Sequence, residues 1–258
     1  MAGQAVTGAN WPGTANWPGT LAGERRLGVL APLAPLLPEG GLQRGSTVVV
    51  ASGGPPGTTA LALALLGGVS QAGSWCAVVG VPTLGVVAAA QLGLRLERVA
   101  LVADPGKEWP TVAATLLDSV DAVVVRPPSH PRPGDARRLV ARARERGSVA
   151  VVLGAGWPER ADVRLTVRAA TWTGLGVGHG HLQGRLVEVV ATGRGAAARE
   201  RRARLWLPGP AGAVAVFDEV GTGRTAGTGP TGPGPTAATG RTAATGPMVV
   251  DIGARRVG

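Results

Sequence analysis

The residues best placed to do chemistry lie in Thr47-Val-Val-Val-Ala-Ser-Gly-Gly-Pro-Pro-Gly-Thr-Thr59. An apolar strand runs into a Gly/Pro turn, and a helix-forming run, Ala60-Leu-Ala-Leu-Ala-Leu-Leu66, follows. Strand, loop and helix in that order are the setting of a phosphate-binding loop, whose working form is G-x-x-x-x-G-K-[ST]. Aligned on Gly57, the first glycine position holds Ser52 and the lysine position holds Thr58. Gly57 itself and the hydroxyl of Thr59 fit the pattern. The only lysine of the chain is Lys107, so the point charge that bridges β- and γ-phosphates is missing. Pro55 and Pro56 remove two further N–H donors from the cradle. Backbone N–H groups at a helix start still attract an anion. A lost hydrogen bond to a charged group costs about 1.5–3 kcal/mol, and its loss matters most where charge develops in a transition state.

The partners of such a loop are missing as well. A second apolar strand should end in an Asp that orients Mg²⁺. The strand that fits, Asp121-Ala-Val-Val-Val-Arg126, ends in Arg126, a cation that repels the metal it replaces. The strand ending Ala77-Val-Val-Gly-Val-Pro82 offers no carboxylate to activate water. The degenerate loop positions Ser52, Gly57, Thr58 and Thr59, with Arg126 at the metal position, therefore predict neither ATP hydrolysis nor a bound cofactor or metal. A nucleotide-dependent switch without turnover stays open as an alternative.

Other constellations do not supply a catalyst. The histidines are His130, His179 and His181, and no carboxylate or thiol lies near His179-Gly-His181 in sequence, so hairpin-loop polarity is the reading. Asp104 with Glu108, and Asp118 with Asp121, read as turn and cap residues. The single cysteine, Cys76, sits in the apolar run Trp75-Cys-Ala-Val-Val79 and reads as a small buried hydrophobe. With no disulfide framework, signal-peptide pattern or membrane-spanning run, the sequence fits a cytoplasmic protein.

The elements that must position the loop follow an α/β alternation. Strands are predicted at 47–51, 75–81, 98–103, 121–125 and 148–153, with helices at 58–72, 83–92, 108–119 and 134–146. Near-continuous apolar strands between helices indicate a mostly parallel sheet covered on both faces. After Gly154 the period becomes two: Val163, Leu165 and Val167 alternate with Arg164, Thr166 and Arg168. Another strand is expected over 186–190 after a turn-rich 174–184, and a last one over 213–217. These are antiparallel strands extending the sheet. The lead-in 24–41, rich in Leu and Pro, reads as irregular chain with a helical turn. Residues 1–22 carry a tandem repeat, Ala-Asn-Trp-Pro-Gly-Thr, and form a disordered arm in this reading. The core domain is 23–218, and 219–258 is a Gly/Thr/Pro/Ala-rich flexible tail.

The formal net charge of +10 suits nucleic acid or an acidic protein surface and permits association with the nucleoid. Two basic stretches are candidate DNA or partner contacts. In Arg137-Arg-Leu-Val-Ala-Arg-Ala-Arg-Glu-Arg146, Arg138, Arg142 and Arg146 share one helix face, while Leu139, Val140 and Ala143 face the sheet. In Arg199-Glu-Arg-Arg-Ala-Arg-Leu-Trp206, Arg201, Arg202 and Arg204 stand beside Trp206, a pairing able to hold single-stranded nucleic acid.

Several segments resemble the RecA core: Leu42-Gln-Arg-Gly-Ser-Thr-Val-Val-Val50 before the loop, 61–73 after it, Ala89-Ala-Gln-Leu-Gly-Leu94, and 121–125. The lead-in Leu30-Ala-Pro-Leu-Ala-Pro-Leu-Leu-Pro-Glu-Gly-Gly-Leu42 is most similar to actinobacterial mutasome accessory proteins of the ImuA-prime type, RecA-related proteins lacking the ATPase motifs. The resemblance covers 27–217. It implies a RecA-like fold and a non-catalytic adaptor in damage-induced, SOS-type translesion mutagenesis and DNA repair. The implied partners are a Y-family polymerase-like mutasome protein and an error-prone replicative-type polymerase. RecA carries a long Gly-rich DNA-binding loop where this chain has only Gly154-Ala-Gly-Trp-Pro-Glu-Arg160, which argues against a recombinase filament. A single-stranded DNA-binding protein and a RecA-like damage-response inhibitor of cell division are the alternative readings.

Overall fold

A computed structural model describes residues 25–51, 54–128, 130–175 and 180–217. The repeat-bearing arm, the C-terminal tail, Ser52 and His179 lie outside the described residues.

The chain enters through an antiparallel ribbon, β1 (Arg26–Gly28) and β2 (Gly41–Gln43), bridged by 3-10 turns at Ala31–Leu36 and Pro38–Gly40. Pro35 inside the first turn keeps it from propagating as an α-helix. The turn nevertheless buries Leu33 and Leu36. Then follow β3 (Thr47–Ala51), α1 (Thr58–Gln71), β4 (Cys76–Val79), α2 (Val86–Gln91), β5 (Val99–Val102), α3 (Trp109–Ser119), β6 (Ala122–Val125), α4 (Pro133–Arg146) and β7 (Val149–Leu153). The last elements are β8 (Val163–Leu175), β9 (Gly180–Gly193), β10 (Arg201–Trp206) and β11 (Ala215–Val216).

One nine-stranded sheet has the order β11-β10-β9-β8-β3-β7-β6-β4-β5. From β8 to β5 neighbouring strands are parallel; β8, β9, β10 and β11 pair antiparallel. Residues alternate between the two faces, so each strand feeds two apolar layers. One layer joins Val48, Val50, Val78 and Leu165 to α1 and the lead-in. The other joins Val49, Ala77, Val79 and Val123 to α3, α4 and Trp157. Helix α1 is apolar nearly all round because it is covered on both sides, by the sheet and by the lead-in. At Gly67 an added Cβ would fall 2.6 Å from the Leu92 carbonyl oxygen, so this packing requires glycine.

The predicted parallel strands and helices form within a few residues of the expected bounds. Two expectations are corrected. The stretch 174–184, expected as a turn-rich link, supplies strand on either side of residues 176–179, and β8 and β9 are a long hairpin. Its outer part has exposed residues at both Thr171 and Trp172, so no alternation of apolar and polar residues marks it. The basic run before Trp206 is itself a strand, β10, which was not expected.

Candidate functional site

The loop lies at the C-terminal end of β3 and leads into α1. Gly57 ends it with φ 133°, a conformation that L side chains rarely adopt, and its carbonyl accepts the Leu61 N–H at 2.8 Å. Strand β7 lies between β3 and β6, and Arg126 immediately follows β6. The Arg126 backbone N–H bonds to the Val79 carbonyl at 2.9 Å, fixing the start of its side chain. From there Nη2 reaches the first turn of α1 and donates to Thr59 Oγ1 at 2.6 Å. The threonine hydroxyl that would ligand Mg²⁺ in a working loop thus accepts from a guanidinium of the chain itself. Thr58, at the lysine position, is the first residue of α1.

A second cation approaches from a place that sequence reasoning did not single out. Arg185, on β9, is 9% exposed. Its Nε donates to the Leu207 carbonyl at 2.8 Å, and its guanidinium lies over the Trp172 ring at 5.0 Å from the centroid. The guanidinium carbon is 3.5 Å from where a Cβ on Gly57 would be. No ion pair of Arg185 with a carboxylate exists among the described residues, and burial lowers its pKa. Two guanidiniums, the positive end of α1 and no described carboxylate in contact with them make the loop end of the sheet inhospitable to a metal ion.

The carboxylates are committed elsewhere. Asp121 pairs with Arg44 at 2.7 Å, just ahead of β6. Asp162 accepts the Thr47 N–H at 2.8 Å and pairs with Arg194 at 2.7 Å, ahead of β8. Both brace the strand ends opposite the loop. Near Asp162, a cleft of about 310 Å³ is lined by Leu37, Leu42, Val48 and Ala197. Asp104 accepts the Gly106 N–H at 3.0 Å, closing a turn. His130 sits against Gly156, His181 is exposed, and no group of three or more His, Cys, Asp or Glu able to hold a metal exists among the described residues. Cys76 is fully buried, and burial first, then the charge of Asp121, pushes its pKa up to about 12.

The two arginine stretches differ in what they touch. On α4, Leu139 and Ala143 are buried. Arg142 and Arg146 both pair with Asp118 of α3, at 2.8 and 3.1 Å, and Arg142 also pairs with Glu145. They clamp two helices together, while Arg138 is exposed. On β10 the alternation divides the run. Arg201 turns toward the side of Leu205 and donates to the backbone oxygens of Arg199 and Ala196 at 3.2 and 2.9 Å. Arg202, Arg204 and Trp206 turn to the other face, where Arg204 lies 4.5 Å from the Phe217 ring centroid and Trp206 meets that ring edge-on at 5.7 Å. No helix among the described residues is long and apolar enough to cross a membrane.

Among solved structures, a crystal structure of the RadB recombinase superposes with a TM-score of 0.53 at 17% identity, covering 75% of this chain and 100% of that one. That likeness shows the RecA-like fold. Residues 35–159, which span the loop, Arg126 and α4, match the family described as the MT3502 N-terminal domain. The chain is also 37% identical over 151 residues to the uncharacterized protein Rv3395c of Mycobacterium tuberculosis (strain ATCC 25618 / H37Rv), covering 57% of this chain and 67% of that protein. The chain belongs to the family of this mycobacterial protein, with a RecA-like α/β core.

Proposed function

We propose that this protein is a non-catalytic RecA-like adaptor in DNA-damage-induced, error-prone DNA synthesis, acting in the cytoplasm. Its partners in this reading are a Y-family polymerase-like mutasome protein and an error-prone replicative-type polymerase. The observation that carries the reading is the 2.6 Å bond from Arg126 to Thr59. The Thr59 hydroxyl, which would ligand Mg²⁺ in a working loop, accepts from a guanidinium of the chain instead, which supports a fold kept without that chemistry. A scaffold whose loop threonine is held by an arginine of the same chain is suited to presenting fixed surfaces to partner proteins. The similarity of the lead-in to ImuA-prime proteins supports the mutasome context, and the RecA-like core agrees with it.

The test is affinity purification with mass spectrometry from DNA-damaged native cells, comparing the full chain with a version ending at Asp218. Recovery of translesion polymerase components above an undamaged control supports the adaptor, and their loss on truncation places docking after residue 218. Recovery of cell-division proteins instead, or of nothing that survives nuclease treatment, contradicts it.

A further inference from the structure

Helices α3 and α4 cover the parallel half of one sheet face and stop there. Their apolar layer ends at Val49 of β3 and at Trp157, and takes in no residue of β8, β9 or β10. Register shows which side chains share the continuation of that face. Val49 aligns with Arg164, placing Arg164 on this side of β8. Moving outward, Thr166, Val190 and Arg202 form one row across β8, β9 and β10. Ala169, Glu188 and Arg204 form the next, and Thr171, Leu186 and Trp206 the third. Phe217 joins beyond β10, its N–H bonded to the Arg204 carbonyl at 3.1 Å. The face therefore carries two arginines on alternate residues of one strand, their Cα atoms about 7 Å apart from a rise of ~3.4 Å per residue. Beside them lies a T-shaped pair of half-buried rings, Trp206 and Phe217, with the small side chains Thr171 and Ala169 in the rows of Trp206 and Arg204, two strands away.

We propose that this open face of β8–β10 binds single-stranded nucleic acid, with Trp206 and Phe217 stacking on bases and Arg202 and Arg204 holding phosphates. The inference goes beyond the adaptor reading and does not depend on it. An aromatic platform flanked by cations on an exposed sheet is a sequence-tolerant way to hold unpaired bases. The carboxylates on the surface answer to the same chemistry. Glu200 pairs with Arg202 at 2.7 Å and Glu188 lies 4.0 Å from it, and a phosphate would take over that guanidinium. An acidic peptide would meet the same arginines, but it has no use for adjacent ring surfaces, which is why a nucleic acid fits better. Arg202 and Arg204 are both exposed, Arg202 in its pairs with Glu200 and Glu188 and Arg204 over the Phe217 ring.

The experiment measures binding of the full chain to a fluorescein-labelled oligothymidylate by anisotropy across a salt series. Affinity should fall linearly with log salt, and Arg202→Ala with Arg204→Ala should flatten the slope by about 1.4, at ~0.7 for each phosphate contact on a single strand. Trp206→Ala should weaken binding roughly 5- to 150-fold, with Trp206→Phe recovering most of it. Arg138→Ala should change nothing. Because Trp206→Ala could disturb the sheet, photocrosslinking of a 5-iodouracil oligonucleotide to the unaltered protein provides a second readout, with adducts expected on Trp206 or Phe217. No binding at low salt, unchanged affinity in both sets of β10 variants, or adducts confined to other elements would overturn the proposal. So would an acidic peptide that competes with the oligonucleotide while Trp206→Ala leaves affinity intact, since the face would then be an acidic-partner dock.

Discussion

The bond between Arg126 and Thr59 can be removed from either end, and the two removals should not add. Thr59→Val keeps the shape of the side chain and deletes the acceptor, leaving the partly buried Nη2 without its 2.6 Å partner. Arg126→Ala deletes the charged donor and leaves a hydroxyl that can turn to the helix backbone. Hydrogen bonds to charged groups contribute about 1.5–3 kcal/mol net, and partial burial places this one toward the lower end, a coupling of ~1–2 kcal/mol. At about 2–4 °C per kcal/mol for a domain of this size, each single variant should lower Tm by a few degrees, Thr59→Val by the larger amount. The double variant should then fall little below Thr59→Val. The assay is urea unfolding followed by circular dichroism on the four proteins, with m-values compared so that changes in the unfolded state are caught. Distant independent sites add within about 0.3–0.5 kcal/mol. A coupling inside that range would mean that the guanidinium and hydroxyl are neighbours without being partners, and the account of the occupied metal position would fail.

Three other outcomes follow from the same structure. Gly57→Ala must hold φ near 133° beside the Arg185 guanidinium, so a loss of about 1–3 kcal/mol is expected in thermal melts; no loss would show that the loop relaxes freely. Asp118→Asn removes the shared partner of Arg142 and Arg146, but on this exposed surface it should cost no more than about 1 kcal/mol per pair; a collapse of the fold would show that these arginines bear more of the α3–α4 packing than the buried Leu139 and Ala143. Cys76 has its pKa raised from 9.0 to about 12, so the folded state keeps the proton that the unfolded chain gives up. That contribution is complete below pH 9 and is lost as pH rises toward 12. The urea midpoint should therefore fall between pH 8 and 10 more steeply in the natural protein than in Cys76→Ala, and equal slopes would refute it.

The order of elements was legible because most of the parallel strands are short runs rich in Val and Ala with Gly, Ser or Asp at one or both ends, and each helix between them has an apolar stripe or is apolar throughout. Arg126 was legible for a related reason: it is the first residue after such a strand, a place defined by local sequence. Arg185 was not, because its approach to Gly57 depends on a hairpin register containing a shift between Val167 and Ala169 and on the Leu207 carbonyl that holds it. No local pattern encodes that meeting. The division between Arg201 and its neighbours was within reach of the sequence. Ala203, Leu205 and Leu207 alternate with Arg202, Arg204 and Trp206, a period of two masked by the density of arginine. The pairing of Arg142 and Arg146 with Asp118 depends on how α3 and α4 pack, which helical periodicity alone leaves undetermined.

The most direct test of a RecA-like core that keeps its fold without nucleotide chemistry is calorimetric titration of the full chain with ATP and Mg²⁺, alongside the Thr58→Lys variant and an assay for released phosphate. The account predicts no binding heat in the natural protein. It predicts no turnover in either protein, because restoring the lysine leaves Arg126 on the Thr59 hydroxyl. Saturable magnesium-dependent binding to the natural chain, or phosphate release by Thr58→Lys, would contradict it.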